Sequence, residues 1–184
     1  MGVLNVREVL VRSVPVLTLL VLIEMIGGSA LGKAYADIKP IFFVLVPPFI
    51  GKGGNIGSVF ASRISTALHL GVLRPSIRGN GILKSNVIAL VFSGLVSFAF
   101  LGVFVYFVSL ILNVPRIAFP RFLAITLLSG TCLTFFAIGL SLLACFASYN
   151  RGIDPDDYVV PIVTTTSDLV GILFLLTFIV LLGT

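Results

Sequence analysis

The stretch that decides the fold is PPFIGKGGNIGSVFASRIST, residues 47–66. It continues an apolar run, PIFFVLVPPFI at 40–50, yet it contains a lysine, an arginine, an asparagine, four glycines and four hydroxyl side chains. Lipid tails offer polar groups no hydrogen-bond partner, so such groups at membrane depth are buried in protein or face a water-filled cavity. The stretch therefore raises the question of what its polar face contacts.

The composition indicates whether the chain folds in water or in a lipid bilayer. Of 184 residues, 58% are hydrophobic and only 10% are charged, and the mean hydropathy is +1.20. A soluble domain of this size could not bury so much apolar surface. The sequence therefore predicts an integral membrane protein surrounded by lipid. The net charge of +5 is interpreted as a topology signal, so no nucleic-acid partner is expected.

Stretches almost free of charge predict an all-α protein with five transmembrane helices, since a span needs about 20 apolar residues. The second helix is predicted to be interrupted, because Pro47 and Pro48 lack N–H donors and four nearby glycines loosen the backbone. Residues 1–184 are predicted to form a single membrane domain with no separate soluble regulatory domain. The five predicted spans are 13–32, 40–73, 85–113, 122–150 and 161–184.

Basic residues in the loops predict the orientation, because lysine and arginine are enriched on the cytoplasmic side. A cytoplasmic N-terminus places six of them inside and four outside. The sequence thus predicts a multi-pass protein of the cell membrane with its N-terminus in the cytoplasm and its C-terminus outside. The inner set is Arg7, Arg12, Arg74, Arg78, Lys84 and Arg151, and the outer set is Lys33, Lys39, Arg116 and Arg121.

Polar side chains in the second helix recur at spacings of three and four, which places them on one face. Two interpretations remain open. The hydroxyls could bond to carbonyls of their own helix or join neighbouring helices. Alternatively, the stripe lines a water-filled cavity, which the predicted backbone break favours. The stripe comprises Asn55, Ser58, Ser62, either Ser65 or Thr66, and His69.

The last helix, within DPDDYVVPIVTTTSDLVGILFLL at 154–176, contains a deep acid. Asp168 lies about 10 Å beyond Pro161 at 1.5 Å per residue, and it shares a face with Thr164 and Thr165. An ionisable residue at such depth indicates a functional site. The structural alternative is an ion pair with Arg63 or Lys52, or a protonated acid bonded to a hydroxyl.

The polar side chains of the second and last helices supply oxygen ligands. Asp168, Asn55 and Ser58 could line one passage and would supply carboxylate, amide and hydroxyl oxygens. Such hard ligands suit Mg²⁺ or Ca²⁺ rather than a soft metal. Because carboxylates are few, the cation would keep several waters, as Mg²⁺ usually does.

Two strings, GKGGNIGSVFASRIST at 51–66 and DPDDYVVPIVTTTSDLVG at 154–171, closely resemble the membrane domain of the MgtE family of magnesium transporters. The resemblance is strongest to the branch related to eukaryotic solute-carrier Mg²⁺ transporters. It implies a parallel homodimer with the pore between subunits. It also implies Mg²⁺ as the transported ion, with other divalent cations as alternatives, held partly hydrated by Asp168 of both chains.

The resemblance also assigns roles to residues around Asp168. It implies that Gly54, Asn55 and Gly57 form the pore wall, which Ser58 and Ser62 extend. Thr164 and Thr165 join Asp168 and Asn55 as candidate metal ligands. The loop before the last helix matches the family's cytoplasmic loop, where a secondary acidic site is expected. That site would use Asp154, Asp156 and Asp157, and its alternative is a solvated turn with an N-cap.

Two departures from the family pattern matter. Only about a dozen residues precede the first helix, so the large cytoplasmic sensing region of many relatives is expected to be absent. Lys52 places a cation beside the proposed cation path, and we expect it to pair with Glu24. Glu24 could instead be a ligand or coupling carboxylate. Its neighbours Gly28 and Gly32 suit close helix packing, which favours a structural role.

Other classes fit less well. The only histidine, His69, has no histidine or cysteine neighbours, and GKGGNIG lacks the G-K-[ST] ending of a phosphate-binding loop, so no enzyme is expected. A cation exchanger coupled to Na⁺ or H⁺ and a non-transporting membrane assembly subunit remain as alternatives. The second would not need Asp168.

Overall fold

The computed structural model describes residues 6–33, 38–73, 75–76, 81–151 and 155–182, with the backbone alone for 6–13, 16 and 155–158. The five predicted helices are confirmed. Each has 28 to 32 residues, so each is at least about 42 Å long at 1.5 Å per residue and exceeds a hydrocarbon core of about 30 Å. They are α1 (Val6–Lys33), α2 (Ile41–His69), α3 (Gly81–Ile111), α4 (Phe119–Asn150) and α5 (Pro155–Leu182).

The helices differ in how apolar they are. Within the described part of the chain, α3, α4 and the 159–182 portion of α5 are long and apolar enough to cross a membrane. The α2 helix does not meet the same criterion, because its middle contains the glycine- and hydroxyl-rich stretch. The membrane character of α2 therefore depends on what its polar face contacts.

The predicted interruption of α2 is wrong, because the helix runs continuously from Ile41 to His69 with both prolines inside it. Proline removes a backbone hydrogen bond, but its fixed φ angle is compatible with a helix. Both rings are exposed, whereas Gly53, Gly54 and Gly57 are buried against neighbouring helices. Tertiary contact thus holds in helical form a sequence whose propensity alone would predict a break.

The α2 helix lies at the centre of the bundle, where it contacts α3, α4 and α5. Its fully buried phenylalanines pair with aromatic rings of the outer helices. The ring centroids of Phe49 and Phe98 are 5.0 Å apart, and those of Phe42 and Phe122 are 5.5 Å apart. Such pairs contribute about 0.5–1.5 kcal/mol beyond their buried area. These ring pairs join α2 to α3 and to α4. In the predicted topology they lie nearer the outside of the membrane than the glycine stretch does.

Polar groups of α4 also contact the backbone of α2. The Ser141 hydroxyl lies 2.9 Å from the Gly57 carbonyl oxygen and 2.7 Å from that of Ala137. One turn further along α4, the Cys145 thiol donates to the Ala61 carbonyl at 3.5 Å. Side-chain donors that reach across helices are common in membrane bundles. These contacts hold the glycine-rich part of α2 against α4.

The α1 helix is peripheral, since α5 is the only described helix that it contacts. The contact is close at Gly27, where an added Cβ would lie 2.9 Å from Ile172 and 3.1 Å from Leu169. At Gly28 and Gly32 no described atom lies within 4 Å of such a Cβ. The residue that brings α1 against α5 is therefore Gly27.

We expect Gly130→Ala to destabilise the protein by about 1–3 kcal/mol, because a Cβ there would overlap the fully buried ring of Phe98. Gly139→Ala on the same helix is the matched control, since no described atom lies within 4 Å of its added Cβ. It should be neutral or stabilising by up to about 1 kcal/mol, as alanine is the better helix former. Thermal unfolding in detergent measures both, and equal melting temperatures would contradict the packing described.

Candidate cation-binding site

The two predicted ligand positions lie at the midpoints of their helices. Asn55 is fourteen residues from each end of α2, and Asp168 is thirteen residues from the start of α5 and fourteen from its end. The sequence predicted a shallower Asp168, but α5 begins six residues before Pro161, at Pro155. Asp168 is therefore about 20 Å into the helix at 1.5 Å per residue, at its most deeply embedded level.

The carboxylate of Asp168 lies directly against the backbone of α2 at Gly54. A Cβ added to Gly54 would be 2.9 Å from Asp168 Oδ1 and 2.8 Å from Thr164 Cγ2. Only glycine leaves room for α5 to approach this closely. The structure therefore brings Gly54, Thr164 and Asp168 together, as the sequence predicted for the face of a single site.

Asp168 has no partner among the side chains that the structure describes. Its Oδ1 atom is buried and accepts no hydrogen bond, and neither Lys52 nor Arg63 forms an ion pair with it. Both structural alternatives for Asp168, the ion pair and the hydroxyl-bonded acid, are thus unfulfilled within the described residues. A buried carboxylate without donors pays a desolvation cost that a bound cation would offset.

The polar stripe of α2 faces out of the single chain. Asn55, Ser62 and Thr66 are exposed, whereas Ser65 is fully buried, so Thr66 continues the stripe. The Ser58 hydroxyl donates to the Asn55 carbonyl at 3.1 Å, and that of Thr66 donates to the Ser62 carbonyl at 2.9 Å. These hydroxyls do bond to their own helix, and their oxygens still line an outward polar surface.

The two predicted threonine ligands bond differently. Thr164 donates to the carbonyl of Val160, four residues back in its own helix, at 2.8 Å. The buried Thr165 instead donates across to Glu24 Oε1 of α1 at 3.3 Å. Hydroxyls that donate in this way keep lone pairs on oxygen that can still bind a cation.

The expected pair of Glu24 with Lys52 is not formed in the described structure. Glu24 accepts from Thr165 because α1 packs on α5, and α1 and α2 make no contact with each other in the described ranges. The half-buried Lys52 has no acidic partner there either. Lys52 therefore neutralises neither Glu24 nor Asp168 in the described structure.

The acidic loop before α5 remains a prediction. Asp154 lies outside the described residues, and for Asp157 the backbone alone is described, in the first turn of α5. Among the side chains that the structure describes, no three histidine, cysteine or acidic groups come together as a metal cluster. The candidate site is thus built around a single carboxylate with neutral oxygens.

One polar residue of the site was missed from the sequence. Ser167 is fully buried, and its Oγ has no hydrogen-bond partner in the described chain. That oxygen would lie 3.6 Å from a Cβ added to Gly57. The signal was present, because Ser167 lies three residues after Thr164 and so faces the same neighbouring helix.

Comparison with known proteins identifies the family of this chain. Residues 46–178 match the MgtE family, described as a divalent cation transporter. The chain is 31% identical over 170 residues to solute carrier family 41 member 2 of Xenopus laevis, a match that covers 85% of this chain and 30% of that protein. The Gallus gallus protein of the same name is also 31% identical, over 85% of this chain and 29% of its own length.

The corresponding Mus musculus protein is 29% identical over 174 residues. The chain thus spans under a third of the length of these relatives. The family match covers well over half of the chain and includes most of α2 and α5, the two helices of the candidate site. The chain therefore belongs to the MgtE family of divalent cation transporters.

Proposed function

We propose that this protein carries divalent cations, foremost Mg²⁺, across the cell membrane along the α2–α5 face, with Asp168 as the principal ligand. The observation that carries the proposal is the buried Oδ1 atom of Asp168, which has no partner among the described residues and lies at the midpoint of α5. A carboxylate held in that position is a functional feature of membrane proteins rather than a packing feature.

The electrostatics favour a cation from solution as the partner. In the low dielectric of a bundle, an isolated carboxylate is unfavourable unless an opposite charge lies close to it. Neither Lys52 nor Arg63 pairs with Asp168 in the described structure. A divalent cation supplies the missing charge when it binds, and no charged side chain of the described chain competes for the same carboxylate.

The available ligands support Mg²⁺. The candidate set consists of oxygen atoms from Asp168, Asn55, Thr164 and Thr165, with one carboxylate from each chain. Mg²⁺ requires oxygen ligands in octahedral geometry at about 2.0–2.1 Å and releases its waters reluctantly, so a few protein oxygens and several waters suffice. Other divalent cations that accept oxygen ligands are expected to bind with different affinity.

The exposed stripe supports a parallel homodimer. On one chain, Asn55 and Ser62 face outward, with Gly54 and Gly57 behind them against α5 and α4. A polar surface at this depth needs a partner or water. A second copy related by a two-fold axis would place the same stripe opposite and enclose a hydrated path. Asp168 would then contribute from both subunits.

The basic residues support an N-terminus in the cytoplasm and a C-terminus outside. In this orientation α5 runs outward, and the loop with Asp154 and Asp157 lies at the cytoplasmic mouth. There the acidic residues would form a secondary site that concentrates cations near the path.

For the transport site, we expect Asp168→Asn to abolish divalent cation flux into liposomes while the folded protein remains. The change removes the charge and keeps the shape, and since the carboxylate has no described partner, the melting temperature should not fall. Breaking a structural buried ion pair would instead cost about 3–5 kcal/mol. Flux and melting are measured on one preparation, with and without Na⁺ and proton gradients.

The matched control for this variant is Arg63→Gln, which removes a charge from the exposed face of α2 and should preserve flux. Normal transport by Asp168→Asn would refute the proposed site. Collapse of the folded protein in that variant alone would assign Asp168 a structural role.

For the assembly, we expect Ser62→Cys to form a disulfide-linked dimer in membranes under mild oxidation, because the proposed interface faces the same stripe of a second copy. The experiment uses a background in which Cys132 and Cys145 are replaced by serine. Phe100→Cys is the control, since Phe100 is exposed on α3, away from the stripe. Equal cross-linking of both variants, or monomers alone, would contradict the interface.

For the orientation, we expect Arg151→Cys to resist a membrane-impermeant thiol reagent added to sealed cells, because the end of α4 should lie in the cytoplasm. Leu112→Cys, at the opposite end of the bundle just after α3, should be labelled readily. Permeabilisation should make both reactive. Labelling of Arg151→Cys but not of Leu112→Cys in sealed cells would reverse the topology.

A further inference from the structure

We propose that Glu24 of α1 is a second carboxylate of the cation path, so that each chain contributes an acid pair, Glu24 and Asp168, to that path. This inference rests on the proposed function and extends it to a helix for which the sequence favoured a packing role. It is carried by three observations: α1 and α2 pack on α5 without contacting each other in the described ranges, Asp168 lies on α5 between the two contact faces, and a hydrogen bond from Thr165 positions Glu24.

The α1 and α2 helices pack on different sides of α5. Both contact α5, but in the described ranges they do not contact each other. On α5, Thr164 faces α2 at Gly54, and Leu169 faces α1 at Gly27. Asp168 is four residues after Thr164 and three after Thr165, which bonds to α1, so helical periodicity places it between the two contact faces. Asp168 therefore lies on the part of α5 between α1 and α2.

The hydrogen bond positions Glu24 of α1 against α5. Thr164 and Thr177 of the same helix both donate to carbonyls four residues back, at 2.8 and 2.7 Å. Thr165 instead donates to Glu24 Oε1 at 3.3 Å, which leaves Oε2 of the exposed carboxylate available to a ligand. The Thr165 hydroxyl therefore donates to Glu24 and not to a carbonyl of its own helix.

The same hydrogen bond brings the two acids to one part of α5. Thr165 and Asp168 are three residues apart on a helix, so their Cβ atoms are about 5–6 Å apart, and Glu24 accepts from the Thr165 hydroxyl. Like charges are unfavourable together away from bulk water unless a cation binds with them. Mg²⁺ usually keeps several waters, so a side-chain oxygen that does not touch the ion directly can bind it through water.

Charge gives the pair a role in selectivity. Two carboxylates from each chain raise the negative charge along the path, which attracts a divalent cation more strongly than a monovalent one. The close packing of α1 on α5 is made by Gly27 with Leu169 and Ile172. The role that fits Glu24 is therefore binding of the divalent ion rather than close packing of α1.

The test is Glu24→Gln, which removes the charge but can still accept the hydrogen bond from Thr165. We expect the apparent Mg²⁺ affinity in liposome flux to fall by about 10- to 100-fold, as for loss of a supporting group at a metal site. The stabilisation of the protein by Mg²⁺ against heat should shift to higher Mg²⁺ by the same factor. The melting temperature in EDTA should not fall.

A second pair of variants keeps the test decisive if Glu24→Gln folds poorly. Thr165→Val removes the donor that positions Glu24 and should weaken Mg²⁺ binding in the same direction by a smaller factor. Thr177→Val makes the same substitution on the same helix at an exposed position and should leave Mg²⁺ affinity unchanged. Equal behaviour of the two threonine variants would overturn the proposal.

The outcomes separate this inference from the function on which it rests. If Asp168→Asn transports normally, the proposed function fails. If Asp168→Asn is inactive while Glu24→Gln keeps the parent affinity in flux and in thermal stabilisation, only the role of Glu24 fails. A drop in melting temperature that is equal in EDTA and in Mg²⁺, with unchanged affinity, would assign Glu24 to structure and likewise overturn the inference.

Discussion

The close approach of α2 and α5 at Gly54 is the contact on which the rest of the site depends. A side chain at that position would overlap Thr164 and the Asp168 carboxylate, so glycine sets the distance between the helices. One turn later, Gly57 lies against Val163 of α5, and its carbonyl oxygen lies within hydrogen-bond distance of Ser141 of α4. Glycine weakens an isolated helix. In this bundle, however, Gly54 and Gly57 allow α2, α4 and α5 to pack closely at the level of the polar side chains.

The same close packing leaves the Oδ1 atom of Asp168 without a hydrogen-bond partner among the described residues. Asp168 is held against a backbone that presents no donor to it, and Glu24 is directed to Thr165 instead of Lys52. A carboxylate in a low-dielectric bundle is unfavourable without an opposite charge, which supports the proposal that a cation binds there. The family to which the chain belongs is described as a divalent cation transporter.

Much of the fold could be predicted from the sequence because the signals are local. Long apolar runs bounded by charges predicted five helices, since the bilayer requires a minimum length for each span. Helical periodicity correctly placed Thr164 and Asp168 on one side of α5, where both meet Gly54. The family resemblance rested on residues 51–66 and 154–171, all of which lie within the matched range. The roles proposed for these residues as ligands remain predictions.

The sequence by itself determined the number of helices, their approximate ends and the helix faces on which polar groups occur, because hydropathy and period are properties of a single segment. Tertiary structure alone decided that α2 continues through Pro47 and Pro48, that Glu24 bonds to Thr165, and that Ser167 is buried against α2. Each of these outcomes depends on which helices lie side by side. The physical reason is that a polar group at membrane depth takes its partner from whichever neighbour packing places there, and that neighbour is distant in sequence.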